Sequence, residues 1–319
     1  MQNKGEKIKI IVVTGPTASG KTALGVALAK HYNGEVVSAD SMQIYKGMSI
    51  GTAAATKEEM DGIRHHLLGF VDPSQEYSVS RYKEDSIACI NDIASRGKMP
   101  IVVGGTGLYI DAILLDMDFT SAAADDEVRR RWQDYADEHG CEALHMQLER
   151  VDPASAERLH PNDIKRVIRA LEVHEVTGRS ISEQNNKTAS DKFDPLVISL
   201  ECENREYLYN RINLRVDIMI KNGLLDEIRG LLDSGVSPYS QSMKAIGYRQ
   251  LIPCITEGAD IESAVEAVKM ETRRYAKRQL TWMRRRERII IDIENKKAED
   301  LAKEAISSIT ECGFLKNEG

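Results

Sequence analysis

Gly15-Pro16-Thr17-Ala18-Ser19-Gly20-Lys21-Thr22 is a G-x-x-x-x-G-K-T loop, and its flanks supply the setting such a loop requires. Ahead of it, residues 8–14 (Ile-Lys-Ile-Ile-Val-Val-Thr) are apolar and β-branched and read as a buried strand. Behind it, residues 23–30 (Ala-Leu-Gly-Val-Ala-Leu-Ala-Lys) read as a helix. Strand, glycine loop and helix together aim backbone N–H groups and the positive end of a helix dipole at one anion. Lys21 adds a point charge, and Thr22 a hydroxyl suited to holding Mg2+. The stretch predicts a diphosphate site.

The same strand-then-loop theme recurs downstream. Residues 34–40 form a short apolar strand ending in the carboxylate of Asp40. Residues 98–107 form another, ending in the glycine cluster Gly104-Gly105-Thr106-Gly107. Between them Tyr82, Ile87, Ile90 and Ile93 are spaced for an amphipathic helix over residues 80–96. Residues 196–200 and 289–292 read as later strands. Such alternation predicts an α/β fold, a P-loop NTPase-like parallel sheet flanked by helices, with ligands at the carboxyl ends of the strands. Residues 120–192 differ in character: helices are expected over 125–138, 141–150 and 163–177, and a polar loop over 180–191. We expect a helical insertion domain at 119–192, dividing a core made of residues 1–118 and 193–319. Long helical regions are expected over 206–233 and 261–288.

Bulk properties narrow the class. The chain has 319 residues, 42% hydrophobic and 29% charged, as soluble globular proteins do. Its opening residues lack an apolar core and no run approaches a membrane span, so a cytoplasmic location is expected. Five scattered cysteines offer no C-x-x-C pair, and adjacent His65 and His66 have no third ligand spaced nearby; a structural role at a loop is expected for them rather than metal binding. The net charge of −7 argues against non-specific nucleic-acid binding by the whole surface. Residues 269–288 nevertheless hold nine Lys or Arg against two Glu, a local basic run.

A phosphate loop in an ATPase is usually partnered by an apolar strand ending in an Mg2+-holding Asp, a role open to Asp40. Asp40 could equally act as a general base, being ionised near neutral pH with an ordinary pKa of ~3.9, or simply cap the turn that follows. The long uncharged stretch after it, Ser41-Met42-Gln43-Ile44-Tyr45, looks substrate-facing.

Taken together, G-P-T-A-S-G-K-T, S-A-D-S-M-Q-I-Y-K-G-M, G-G-T-G-L-Y and R-V-I-R-A-L-E-V resemble the bacterial tRNA dimethylallyltransferase (tRNA isopentenyltransferase) family. Blocks beginning at Arg215, Lys244 and Tyr275 agree, in order, over residues 8 to 290. The resemblance implies transfer of a dimethylallyl group from dimethylallyl diphosphate to N6 of the adenosine beside the anticodon, position 37. Gly15 to Thr22 would cradle the leaving diphosphate, with Arg215 and Mg2+ at Thr22 neutralising charge. Asp40 would take the amine proton, Thr106 would orient the amine, and Thr17 would lie beside the reacting centre. The acceptor base must be flipped out of its stack, with Ser41, Met42 and Gln43 reading its edge.

For the tRNA anticodon stem-loop, the family match points to Lys165-Arg166-Val167-Ile168-Arg169 and to Arg129. Relatives commonly carry Gln at Lys165, where phosphate contact is the natural role of a lysine. The basic run would hold the stem. A monomer is the default. Two other readings stand beside this one: an adenylate dimethylallyltransferase using free AMP, ADP or ATP, for which the insertion and basic run are superfluous, and a P-loop kinase of a small metabolite, which leaves the blocks after Asp40 unexplained. A non-catalytic RNA-binding module gives the phosphate loop no purpose.

Overall fold

The computed structural model describes residues 7–115, 117, 125–184 and 189–315. Six strands form one sheet: Ile8–Thr14 (β1), Gly34–Ser38 (β2), His65–His66 (β3), Met99–Val103 (β4), Phe193–Glu201 (β5) and Ile289–Asp292 (β6). Their order is β3-β2-β4-β1-β5-β6, and every pairing is parallel. The central strands are unbroken Val/Ile runs because helices cover both faces of a parallel sheet. Ile10 to Val13 accordingly lie fully buried. On one face Leu24 and Leu28 of the helix Lys21–His31 meet Leu301, Ala305 and Ile309 of the helix Ala298–Glu311 in the same apolar cluster. The α/β fold read from the sequence is the fold observed.

Register fixes what lies at the carboxyl edge. Val13 of β1 pairs with Val103 of β4, and Val103 pairs with Ser38 of β2. The loops beginning at Gly15, Gly104 and Ala39 therefore leave the sheet at one level, on three adjacent strands. With strands ~4.8 Å apart, the outer two start about 10 Å from each other.

Several elements differ from expectation. The helical region over 206–233 is two helices, Arg205–Lys221 and Leu224–Asp233, interrupted at Asn222-Gly223 where Gly223 takes a left-handed conformation (φ 94°). The basic run leaves the helix Ile261–Met283 before Arg284. His65 and His66 form an edge strand rather than a loop, and the expected polar loop over 180–191 starts with the short helix Ile181–Gln184; its residues 185–188 lie outside those described, as does the expected division at 118/119.

The chain divides into two compact units, Leu114–Ser190 and the remainder. Inside the smaller unit, helices Asp126–His139, Cys141–Val151, Pro153–Arg158 and Ile164–Thr177 close around Ala136, Leu144, Leu148, Val167, Ile168 and Leu171. No helix among the described residues is long and apolar enough to cross a membrane.

Candidate active site

The loop Gly15 to Gly20 is fixed by its surroundings rather than by its own side chains. A Cβ on Gly15 would lie 2.8 Å from both the Leu200 carbonyl oxygen and Ser19 Oγ, so only glycine fits. Gly20 ends the loop at φ 97°, a conformation that favours glycine, and starts the helix Lys21–His31 with no side-chain cap. That helix also has no acidic residue in its first turn, so its end N–H groups stay open to an anion. Ala18 sits at φ 63°, and Arg211 Nε donates to its carbonyl at 2.8 Å. Lys21 Nζ reaches back to the Pro16 carbonyl at 2.7 Å. Two buried hydroxyls, Thr14 Oγ1 and Ser19 Oγ, have no hydrogen-bond partner among the described residues. Buried polar atoms are rarely left so, and these two flank the loop where an anion would lie.

Asp40 stands past the end of β2. Its Oδ1 accepts from the N–H of Met42 (2.9 Å) and Gln43 (3.3 Å), forming the turn cap. Its Oδ2 has no hydrogen bond among the described residues. Thr106, from the glycine cluster, donates its N–H to the Ala39 carbonyl at 3.1 Å, and its Oγ1 accepts from the Ser41 N–H at 3.0 Å. Gly104 permits this closeness, since a Cβ there would lie 2.2 Å from the Ala39 carbonyl oxygen. Thr106 is thereby held against the Asp40 turn from the neighbouring strand.

Positive charge faces Asp40 without pairing to it. Desolvation lowers the Lys21 ammonium to a pKa of about 7, the Arg215 guanidinium pushes the same way, and the Asp40 carboxylate opposes both. Arg215 is itself pulled below its ordinary value, chiefly by burial, with Asp40 again opposing. Two cations without an ion-paired carboxylate form a site short of negative charge. Gln43 spends its amide donors on the carbonyls of Thr52 (3.1 Å) and Ala53 (3.2 Å) and Arg215 makes a long contact of 3.4 Å with Ala53, so both side chains brace the loop after Asp40.

Thr17, Lys21, Thr22, Asp40, Ser41, Met42, Gln43, Thr106 and Arg215 thus gather at the carboxyl edge of the larger unit. The remaining candidates belong to the smaller unit. There Lys165 and Arg166 are exposed, Arg166 lying 3.3 Å from Asp163 and Lys165 forming no ion pair among the described residues. Arg129 and Arg169 both pair with the wholly buried Glu172, at 2.9 and 2.7 Å. Val167 and Ile168, in the same stretch, face inward and their side chains belong to the unit's apolar core. Helical periodicity requires this, because Lys165 and Arg166 occupy the outer face.

Five functional neighbours escape sequence reasoning. Gln279 and Tyr275 press on the glycine cluster, Arg211 holds Ala18, Trp282 Nε1 donates to Asp111 at 3.0 Å, and Glu227 accepts from the N–H groups of Ile50 (2.8 Å) and Gly51 (3.0 Å). Each meets a partner far off in sequence, so although Tyr275, Gln279 and Trp282 fall in the block beginning at Tyr275, no local pattern shows what they touch. Of the basic run, Arg286 pairs with Asp111 and Arg288 with Glu201, whereas exposed Lys277, Arg278, Arg284 and Arg285 form no ion pair among the described residues.

The family model for IPP transferase matches residues 43–286, more than half of the chain. The chain belongs to the IPP transferase family. A model for isopentenyl transferase also matches, over residues 8–71. Among IPP transferase relatives, the tRNA dimethylallyltransferase of Caldanaerobacter subterraneus subsp. tengcongensis is 49% identical over 280 residues, 87% of this chain and 89% of that one. That of Bacillus mycoides is 49% identical over 280 residues, 88% of each. The crystal structure of a full-length tRNA isopentenylpyrophosphate transferase from Bacillus halodurans superposes with a TM-score of 0.72 at 40% identity, covering 96% of both chains. A eukaryotic dimethylallyltransferase acting on tRNA gives a TM-score of 0.81 at 32% identity, over 98% of this chain and 81% of that one.

Proposed function

We propose that this IPP transferase moves a dimethylallyl group from dimethylallyl diphosphate to N6 of adenosine 37, beside the anticodon of tRNA. The observation that carries the reading is an unpaired Asp40 Oδ2 placed across two strand spacings from an anion loop rich in unused donors. The loop N–H groups, Ser19 Oγ, Lys21 and Arg215 bind the diphosphate and stabilise the charge that grows on it as the allylic C–O bond breaks. Pyrophosphate leaves with the bonding pair. The N6 lone pair forms the new bond to the allylic carbon, and the N6 proton passes to Asp40 Oδ2. Thr106 holds the Asp40 turn in place and offers its Oγ1 to the amine, and the Thr17 side chain borders the reacting carbon. Because the adenine must leave its stack to reach this edge, Ser41 and Met42 line its entry with Gln43 behind them.

The residues also fit a magnesium ion. Mg2+ takes oxygen ligands and keeps most of them from substrate phosphates and water. The Thr22 hydroxyl is an oxygen donor of that kind, and no group of three or more His, Cys, Asp or Glu among the described residues suits a more protein-bound metal. Bound there, Mg2+ would supply further neutralisation of the leaving group. Lys165 and Arg166 on the smaller unit, and Lys277, Arg278, Arg284 and Arg285 on the larger, supply phosphate contacts for the tRNA stem.

The test is incorporation of radiolabelled dimethylallyl diphosphate into unmodified tRNA, against free AMP, with Mg2+. Label in tRNA alone is expected. Label in AMP alone moves the chain to the free-nucleotide enzymes, and label in neither overturns prenyl transfer.

A further inference from the structure

The helix Ile261–Met283 turns one face, made by Tyr275, Gln279 and Trp282, onto the loops that carry the site. Gln279 is 5% exposed and uses both ends of its amide. Its Oε1 accepts from the Thr17 N–H at 2.9 Å, and its Nε2 donates to the Gly105 carbonyl at 2.9 Å. The Tyr275 hydroxyl reaches the same carbonyl at 3.4 Å. Neither glycine beside this face has room for a side chain: a Cβ on Gly105 would lie 2.1 Å from Gln279 Nε2, and one on Gly107 2.5 Å from the Trp282 indole. The Thr17 amide is therefore spent on the protein and withheld from any phosphate.

One amide thus joins the two halves of the site. On one side is the loop that holds the leaving group. On the other is the Gly104–Gly107 segment, whose Thr106 fixes the turn of Asp40. We infer that Gln279 is the positioning residue that sets the distance between the diphosphate and the proton acceptor. It touches neither substrate; it acts through Thr17 and Gly105. The inference rests on the prenyl-transfer reading above. Both hydrogen bonds are needed, because an acceptor alone would hold the diphosphate loop without tying it to the glycine segment.

The test exploits the chemistry of the pair. Q279A removes both bonds, and kcat for transfer to tRNA should fall about 100-fold, the cost of an ångström of misplacement, with KM for tRNA little changed. Q279E keeps the shape. In Q279E the ionised carboxylate repels the Gly105 carbonyl oxygen, so burial and repulsion raise its pKa above the ordinary ~4.3. Once protonated it accepts from Thr17 and donates to Gly105, as the amide does. The ratio of Q279E to wild-type kcat should therefore rise about tenfold between pH 8.5 and pH 6, following the fraction protonated. A loss of packing alone has no such pH dependence. A flat ratio, or Q279A turning over at the wild-type rate, overturns the inference; if Q279A does not fold, the Q279E profile decides. A wild-type protein that labels no tRNA would instead overturn the prenyl-transfer reading and leave Gln279 aside.

Discussion

At the amino end of β2, buried Glu35 accepts two hydrogen bonds from Arg96, at 2.6 and 2.7 Å, and further ones from Lys98 and His66, each at 2.8 Å, whereas beyond the carboxyl end of the same strand Asp40 faces Lys21 and Arg215 without pairing to either. The hydrogen bonds from Arg96 above all hold the Glu35 carboxyl far below the usual carboxylate range. The charged groups around Glu35 are paired, and the arrangement locks β2 to its neighbours. At the other end Thr14 Oγ1, Ser19 Oγ and Asp40 Oδ2 lack partners, and a lysine is driven towards neutrality. Charge satisfied within the fold marks structure; charge kept waiting marks a place for a ligand.

Asp40→Asn should break the contrast most visibly. It keeps the turn cap and removes the proton acceptor, so turnover should fall by about 10²–10⁴-fold while tRNA binding, followed by filter retention, stays nearly intact. Equal losses of binding and rate would remove the general-base role. At the opposite end, Glu35→Gln leaves cations without their counter-charge and should cost about 3–5 kcal/mol of stability in urea unfolding, with turnover preserved below the transition. Its sign with pH is set by the lowered pKa: the stability Glu35 contributes is present above the unfolded value of ~4.3 and is lost as pH falls through the folded one. The variant should therefore show a flatter acid limb. Lys21→Met is the inverse case. With a folded pKa of about 7 against ~10.4 unfolded, the unfolded chain binds more protons between those values. Wild-type stability then rises across that window from this residue, and urea midpoints of K21M at pH 7 and pH 10 should lose that rise.

The fold was legible where local pattern and tertiary need agree. Ile8–Thr14 and Met99–Val103 are apolar runs that only a sheet buried on both faces explains. The break at Asn222-Gly223 was hidden because helical periodicity resumes at Leu224; only the left-handed glycine betrays it. At the candidate site, Gly15 to Thr22, Asp40 and Thr106 announce themselves through loop position and motif. In the stretch 165–169 the motif does not say which side chains face out; the structure turns Val167 and Ile168 inward, as a helical pentad must turn some members. Glu227, and Gln279 although it falls in the block beginning at Tyr275, gave no sign of their roles for a different reason: what they do depends on partners that the sheet, not the sequence, brings near.

The bond from Gln279 to Thr17 spans 262 residues. A chain made from its amino terminus has the diphosphate loop well before the helix that braces it. Contacts of such separation form late, after loop closure has been overcome. Until that helix has been made the nascent chain therefore carries an unbraced diphosphate loop, with Thr17 and Gly105 unconnected. The fold delays a working site until the helix Ile261–Met283 has joined it.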